Sequence, residues 1–378
     1  MPQFRILQVT LDLSLASTGV YTTAKNFYDV LTRQGHNVKS ISFDRHEYEA
    51  TARGFNVRPV RSSRLPVLNR FAFSWAAAHG AHDQLIGSQD ALFLHSLYGY
   101  HVNWAAGRAR PDQGVFVIPH GALNERCFSY RKSRKLWWLR HANPFFTENS
   151  TFIFSSEYER RQALERVSPR YVEVLSWPVS RELLAPPAPL PPGDRVLIAA
   201  GRLHPGKRTL ETVRAFRRLA RSGWQLHLAG LPSDEVSIAD LRHEAGAAWE
   251  KTIIYRGNLK AAQLAEAYRS AAGVVLFSQG ENFANVIAEG VANGCAAFVS
   301  DHVGLADKVD GGGWGLVFDD RTIHDTAEQL EASMAYCDSD TAKARAERTA
   351  LSREMFSMER FSAGLLDITR RGVARAAA

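Results

Sequence analysis

Cysteine is scarce and scattered: the 378 residues hold three, Cys127, Cys295 and Cys337, at no spacing that suits a metal site. That argues against structural zinc and fits a reduced compartment. No apolar run reaches the roughly 18 residues that a membrane span requires. The opening "MPQFRILQVT" runs straight into a strand-like segment and lacks the apolar core and cleavage site of a signal peptide, so the expected location is cytoplasmic. No repeat of 20–50 residues is present, which excludes a solenoid. The basic charge is accompanied by no nucleic-acid recognition motif, so no nucleic-acid partner is expected.

What is present is an ordinary globular balance, 45% hydrophobic and 22% charged, in a chain long enough for two domains. The net charge of +7 is unevenly spread. Residues 1–185 carry 23 Lys and Arg against 15 Asp and Glu, while the remainder carries 23 against 24. Within the basic half, "RCFSYRKSRKLWWLRH" (126–141) has six cations, two tryptophans and no acid. Arg131, Lys132, Arg134 and Lys135 beside Trp137 and Trp138 suit an anionic membrane surface or a polyanionic acceptor, with the protein then peripheral on the inner face of the membrane. The alternative is a solvated helix whose tryptophans pack inward.

The chain divides at "APPAPLPPG" (185–193), where five prolines in nine residues can continue neither a helix nor a central strand. On each side, short runs rich in Val, Ile and Phe alternate with amphipathic segments. "TLETVRAFRRLARSG", for instance, reads as a helix closed by its final glycine. Alternation of this kind predicts an α/β chain with two Rossmann-like domains, each a parallel sheet covered on both faces, facing each other across a cleft. Domains are expected at 1–185 and 194–360. Ligands in such sheets lie beyond the carboxyl ends of the strands.

"GRLHPGKRTLETVRAF" (201–216) follows the first strand of the second domain. Arg202 and Lys207 flank a turn that precedes a helix, a ready site for a diphosphate. The stretch also imitates the start of a P-loop, G-x-x-x-x-G-K. Arg208 stands where a magnesium-binding Ser or Thr belongs, however, and Pro205 removes an N–H from the cradle. The apolar run "GVVLF" ends in Ser278 rather than the Asp of a Walker B strand.

"GENFANVIAEG" (280–290) follows that run. A helix starting near Phe283 to Asn285 would offer free N–H groups to a phosphate. Glu289 would lie about 6 Å further along the axis, where a carboxylate can accept from both hydroxyls of a ribose diol. Glu281, before the helix, would face the group beyond the phosphate. The bland alternative for both is a solvated helix face.

"GRLHPGK" followed about 75 residues later by "ENFANVIAE" resembles the retaining glycosyltransferases of family 4, which have the GT-B fold and an E-x7-E signature. Relatives commonly carry Gly where this chain has Ala284. "ASTGVYTTAKNFYDVLTRQGHNV" is similar to the family's first glycine-containing loop and helix, with Thr18-Gly19 in place of Gly-Gly. "VIPHGALNERCF" resembles its P-H-G element and "TFIFSSEYERRQ" a later strand and helix. "FSMERFSAGLLDITRR" is similar to the C-terminal helix that crosses back to the first domain, here residues 361–378.

The resemblance implies roles at the matching positions. Arg202 and Lys207 would neutralise the diphosphate leaving group, with no metal or other cofactor. Glu281 would bind sugar hydroxyls, and Phe283, Ala284 and Asn285 would offer backbone contacts. Glu289 would hold the ribose, and Asn258 and Leu259 would lie near the base. From the first domain, Gly19 would approach the phosphates and His120 the sugar at the reaction centre; for His120 a packed core histidine is the alternative. His95 and Asp12 are weaker candidates for the acceptor side. The expected enzyme moves a hexose from a UDP- or GDP-sugar to a hydroxyl of a glycan or lipid-linked saccharide, with retention, in bacterial surface or exopolysaccharide assembly. An epimerase of the same fold or a non-catalytic membrane-surface scaffold are the competing readings.

Overall fold

The computed structural model describes residues 3–11, 13, 19–43, 57–69, 71–147, 150–184, 194–319 and 325–378. The proline-rich stretch 185–193 and Asp12 lie outside the described residues. Two compact units form: Met1–Ser176 together with Phe361–Ala378, and Trp177–Arg360.

The first unit is a seven-stranded parallel sheet. Its strands are β1 (Arg5–Thr10), β2 (Asn37–Ser42), β3 (Val57–Pro59), β4 (Ala91–His95), β5 (Gly114–Ile118), β6 (Ser150–Phe154) and β7 (Tyr171–Val174), in the order β3-β2-β1-β4-β5-β6-β7. Every residue of β4, β5 and β6 is buried, as expected of apolar runs covered on both faces. His95 closes β4 and pairs with Ile118 of β5, which brings the ends of both strands to one edge. The short β3 is absent from the sequence pattern. It is an edge strand ending at Pro59, which has no N–H to donate, and three residues are too few to display an alternation.

The C-terminal helix, Met358–Ala377, supplies part of this unit's core. Phe361 lies 5.6 Å from the ring of Phe27. A Cβ on Gly372 would stand 2.4 Å from the ring of Phe116, so glycine permits the close approach of helix to sheet.

The second unit is a six-stranded parallel sheet of β8 (Asp194–Ala200), β9 (Gln225–Ala229), β10 (Ile253–Gly257), β11 (Ala271–Leu276), β12 (Ala296–Ser300) and β13 (Gly315–Phe318). The order β10-β9-β8-β11-β12-β13 reverses direction between β8 and β11. The loops that leave these two strands therefore emerge side by side at the topological switch point, where doubly wound sheets bind ligands.

Two sequence expectations shift. The division falls at Ser176/Trp177 rather than at the proline-rich stretch, because Val179 N–H donates to Phe356 C=O at 3.0 Å and the Trp177 ring lies 6.4 Å from that of Phe283. The helix expected to close at Gly223 spans Thr209–Leu219; Ala220 takes the left-handed conformation (φ 44°) and ends it first. Among the described residues, no helix is long and apolar enough to cross a membrane.

Candidate functional site

The loop after β8 is built around tight backbone contacts. Gly201 has φ +103°, and a Cβ on Gly230 would stand 1.9 Å from the Gly201 carbonyl oxygen. His204 then caps a single 3-10 turn, Pro205–Lys207: its Nδ1 accepts from Gly206 N–H at 3.0 Å, and its Nε2 lies 2.8 Å from Glu235. Arg208 turns left-handed (φ 52°) before the next helix starts at Thr209. Lys207 therefore sits on the turn ahead of the helix. Arg202 is exposed and makes no hydrogen bond or ion pair among the described residues.

The loop after β11 is stitched to it. Gln279 N–H donates to the Gly206 carbonyl at 2.9 Å, and Ser278 Oγ lies 3.0 Å from the same oxygen. Ser278 Oγ is also 3.3 Å from Glu281 Oε1, and Lys207 Nζ is 2.7 Å from that carboxylate oxygen. Glu281 N–H donates to the His302 carbonyl at 3.0 Å, which fixes its backbone. Lys207 and Glu281 thus meet on one surface of the second unit, and Arg202 lies on the same loop as Lys207. Sequence reading noticed Ser278 only as the absence of an Asp; its hydroxyl joins the two loops.

Ala284 precedes the helix Asn285–Ala292 with φ 76° and ψ 67°. This left-handed conformation disfavours any side chain, and it is the physical reason for a glycine at such a position. Ala284 is buried, and no side chain caps the helix that follows. Phe283 contributes more than its backbone: the ring is buried and lies 5.9 Å from Phe356 and 6.4 Å from Trp177. A Cβ on Gly304 would meet the Asn282 carbonyl oxygen at 1.9 Å, so this glycine admits the loop. Asn285, at the first helical position, is exposed.

Glu289 lies on the second turn of the helix, largely withdrawn from water. Burial pushes its carboxyl up to about 7, while the Tyr268 hydroxyl, which donates at 3.2 Å, and the charge of Lys207 pull the other way. Lys207 therefore acts on both glutamates. Asn258 and Leu259 follow β10 just beyond Gly257 (φ +70°), whose carbonyl accepts from Gly230 N–H at 2.8 Å. Asn258 is exposed and Leu259 half-buried. Gly230 thus links the loop after β10 to the loop after β8.

In the first unit, His120 follows β5 in a left-handed conformation (φ 53°), and so does Gly121 (φ 75°). The turn is held by the buried Glu159, which sequence reading passed over. Its Oε1 accepts from Gly121 N–H at 2.5 Å, and its Oε2 accepts from Ser155 N–H at 2.8 Å and Ser155 Oγ–H at 2.6 Å. Burial raises the Glu159 carboxyl, against the pull of these three donors. Behind the turn, His95 Nδ1 lies 3.0 Å from His120 Nε2. His120 is therefore hydrogen-bonded to His95, and it stands two residues beyond the carboxyl end of β5. Gly19 opens the helix Gly19–Arg33, and a Cβ there would meet nothing within 4 Å.

The basic segment forms the helix Lys132–Thr147. Its two tryptophans divide. Trp138 is half-buried with its ring edge-on to Tyr98 at 5.3 Å, whereas Trp137 is 63% exposed next to Leu136, at 49%. Arg131, Lys132 and Arg134 are exposed. Lys135 turns inward, donating to the Cys127 carbonyl and lying 5.2 Å from the Tyr98 ring centre. Among the described residues, no three His, Cys, Asp or Glu side chains cluster as metal ligands would.

Residues 194–335 match the family model described as "Glycosyl transferases group 1". The whole chain is similar in structure to a glycosyltransferase from Rickettsia africae ESF-5, with a TM-score of 0.71 at 16% identity over 98% of this chain and 99% of that one. It is also similar to HepE from Anabaena in complex with UDP and glucose, with a TM-score of 0.70 at 14% identity over 98% of both chains. A third likeness is to the lipopolysaccharide outer core galactosyltransferase WaaB, with a TM-score of 0.69 at 18% identity over 96% and 99%. No curated protein sequence matches the chain. At these identities the structural likeness shows the fold, GT-B. A glycosyltransferase is the class of protein that this fold and the group 1 domain support.

Proposed function

We propose that the protein is a retaining glycosyltransferase of the family 4 type that transfers a hexose from a UDP- or GDP-sugar to a hydroxyl group. The observation that carries this reading is the cluster at the second sheet's switch point: Lys207 bridged to Glu281 at 2.7 Å, with the charge of Lys207 acting also on Glu289. One cation adjoining two carboxylates suits a ligand that is anionic in the middle and rich in hydroxyls at both ends. A nucleotide diphosphate sugar has that pattern.

In this reading the second unit holds the donor. Departure of the diphosphate builds negative charge, which Lys207, Arg202 and the backbone N–H groups beyond Ala284 stabilise as it develops. These groups take the part that a metal plays in other transferases, and no cofactor is needed. Glu281 holds the hexose, Glu289 the ribose, and the 258–259 loop the base. His120 of the first unit acts at the sugar, Gly19 at the phosphates, and the acceptor is received by the first unit. No carboxylate serves as a covalent nucleophile; the acceptor attacks from the face the leaving group departs, and the leaving phosphate takes its proton. HepE is titled as a complex with UDP and glucose, and WaaB as a lipopolysaccharide enzyme. By analogy the acceptor is a glycan or a lipid-linked saccharide in bacterial surface polysaccharide assembly. The exposed basic and aromatic face of the helix Lys132–Thr147 would then rest on the inner, anionic membrane surface.

A thermal-shift screen of nucleotides and nucleotide sugars tests the donor first. One uridine or guanosine diphosphate sugar is expected to raise Tm, and its transferred hexose to keep the anomeric configuration by NMR. Protection by none of them removes the reading, and conversion of the donor without acceptor points instead to an epimerase.

A further inference from the structure

We propose that His95 is a positioning residue: it accepts a hydrogen bond from His120 Nε2 and so fixes His120 as the neutral Nε2–H tautomer, with Nδ1 as the acceptor of that ring. The inference deepens the role given to His120 above and rests on it for its link to catalysis.

The order of the hydrogen bonds follows from a buried relay. Gln8, in β1, is fully buried, and its side-chain oxygen lies 3.0 Å from His95 Nε2. An amide oxygen can only accept, so His95 Nε2 carries the proton. The Gln8 amide nitrogen in turn donates to Ser40 Oγ at 3.3 Å, so both ends of this buried amide are partnered. A neutral imidazole with hydrogen on Nε2 has a bare Nδ1. That atom is 3.0 Å from His120 Nε2, which must then be the donor. The two rings stack at 5.3 Å with planes 22° apart.

His95 is itself held in place. His101 Nε2 donates to the His95 carbonyl at 3.0 Å, and Phe27 meets the imidazole edge-on at 5.5 Å. Gly99 has to be glycine, because a Cβ there would stand 2.4 Å from His101 Nδ1. Burial lowers all three imidazoles and keeps them neutral, and among the described residues no carboxylate bears on His95. A carboxylate in the place of His95 would orient His120 just as well and would also raise its tendency to protonate. Histidine as the orienting group sets the tautomer without adding charge, so His120 keeps its Nε2 proton on His95 and does not donate it to the leaving group.

Nitrogen-15 NMR of the histidine-labelled full chain reads the tautomer directly, with His120→Ala and His95→Asn used to assign signals among the 13 histidines. The wild type is expected to show His120 as Nε2–H. His95→Leu removes the acceptor and should yield a tautomer mixture and a kcat lowered about ten-fold or more, with the donor KM little changed. His95→Asn, whose Oδ1 can take the place of Nδ1, should restore the tautomer and most of kcat. Should the leucine variant fail to fold, Gln8→Leu serves instead, since it frees His95 to change tautomer and should spread both rings between forms. A wild-type His120 found as Nδ1–H, or one whose tautomer ignores both substitutions, overturns the inference. Full turnover by His120→Ala would instead remove the catalytic reading of His120 and leave the tautomer result standing.

Discussion

Lys207 Nζ and Glu281 Oε1 lie 2.7 Å apart, each side chain 21% exposed, and they join the loop that leaves β8 to the loop that leaves β11. A pair this open to water contributes on the order of 1 kcal/mol or less to stability. Its value is in placing a cation at the switch point, beside the N-terminus of the helix that begins at Asn285. Replacing Lys207 by Ala is therefore expected to lower kcat/KM for the donor by roughly 100-fold or more, with Tm almost unchanged. A loss of Tm in step with activity would mean that the pair only holds the loops together.

Ala284 carries a Cβ at φ 76°. The left-handed conformation costs a residue with a Cβ about 1 kcal/mol or more that glycine does not lose. Ala284→Gly should raise Tm by about 2–4 °C in a unit of this size, and Ala284→Val should lower it. A glycine variant that melts earlier than the wild type would show that packing of the methyl group outweighs the backbone strain.

Glu289 gives the site a pH signature. Its folded carboxyl titrates near 7, above the unfolded value, so the folded state holds the extra proton between those limits. Its contribution to stability is present below the unfolded value and is lost as pH rises through about 7. Glu289→Gln, which cannot ionise, should therefore gain Tm over the wild type at pH 8 and little at pH 4. Nucleotide binding should run the other way, strengthening as the wild-type carboxylate ionises and failing in the glutamine variant at every pH. Calorimetric melts and titrations at a series of pH values read both trends.

Glu159 holds the turn that carries His120. Removing the carboxylate by Glu159→Ala leaves Gly121 N–H and both donors of Ser155 without their acceptor, a loss of roughly 2–4 kcal/mol. Glu159→Gln keeps one acceptor oxygen and should fall between alanine and wild type in denaturant midpoint. Equal stability of all three would show that the turn holds itself.

The exposed face of the helix Lys132–Thr147 makes a prediction separate from the chemistry. Neutralising Arg131, Lys132 and Arg134 together should reduce co-flotation with anionic vesicles, with donor turnover in solution retained. Trp137→Ser should weaken what remains, whereas Trp138, packed on Tyr98, should affect folding instead. Unchanged flotation of the triple variant would end the membrane reading.

Legibility followed the physics of each signal. Short apolar runs announced twelve of the thirteen strands among the described residues, most plainly β4, β5 and β6, which are buried throughout and so mostly apolar. β3 escaped because a three-residue edge strand needs only one buried residue, Val57. The charged residues of the second unit were visible in "GRLHPGK" and "ENFANVIAE", since their spacing reflects loops at neighbouring strand ends. What could not be read were partners distant in sequence. Nothing around Glu159 points to Gly121, 38 positions away, and nothing around Gln8 points to His95, 87 positions away. Ala284 was visible as a departure from a pattern, but the reason for the pattern, a left-handed backbone, became plain only in three dimensions.

The helix Met358–Ala377 bears on how the chain is made. The seven described strands of the first sheet leave the ribosome before residue 177, yet Phe361 and Gly372, which cover Phe27 and Phe116, follow only after the whole second unit has been synthesised. The first unit to be translated is therefore the last whose core can be completed. Until then the rings of Phe27 and Phe116 await a cover that lies 334 and 256 positions further along. A stop codon at position 361 should therefore leave the first unit, not the second, as the species that chaperones retain.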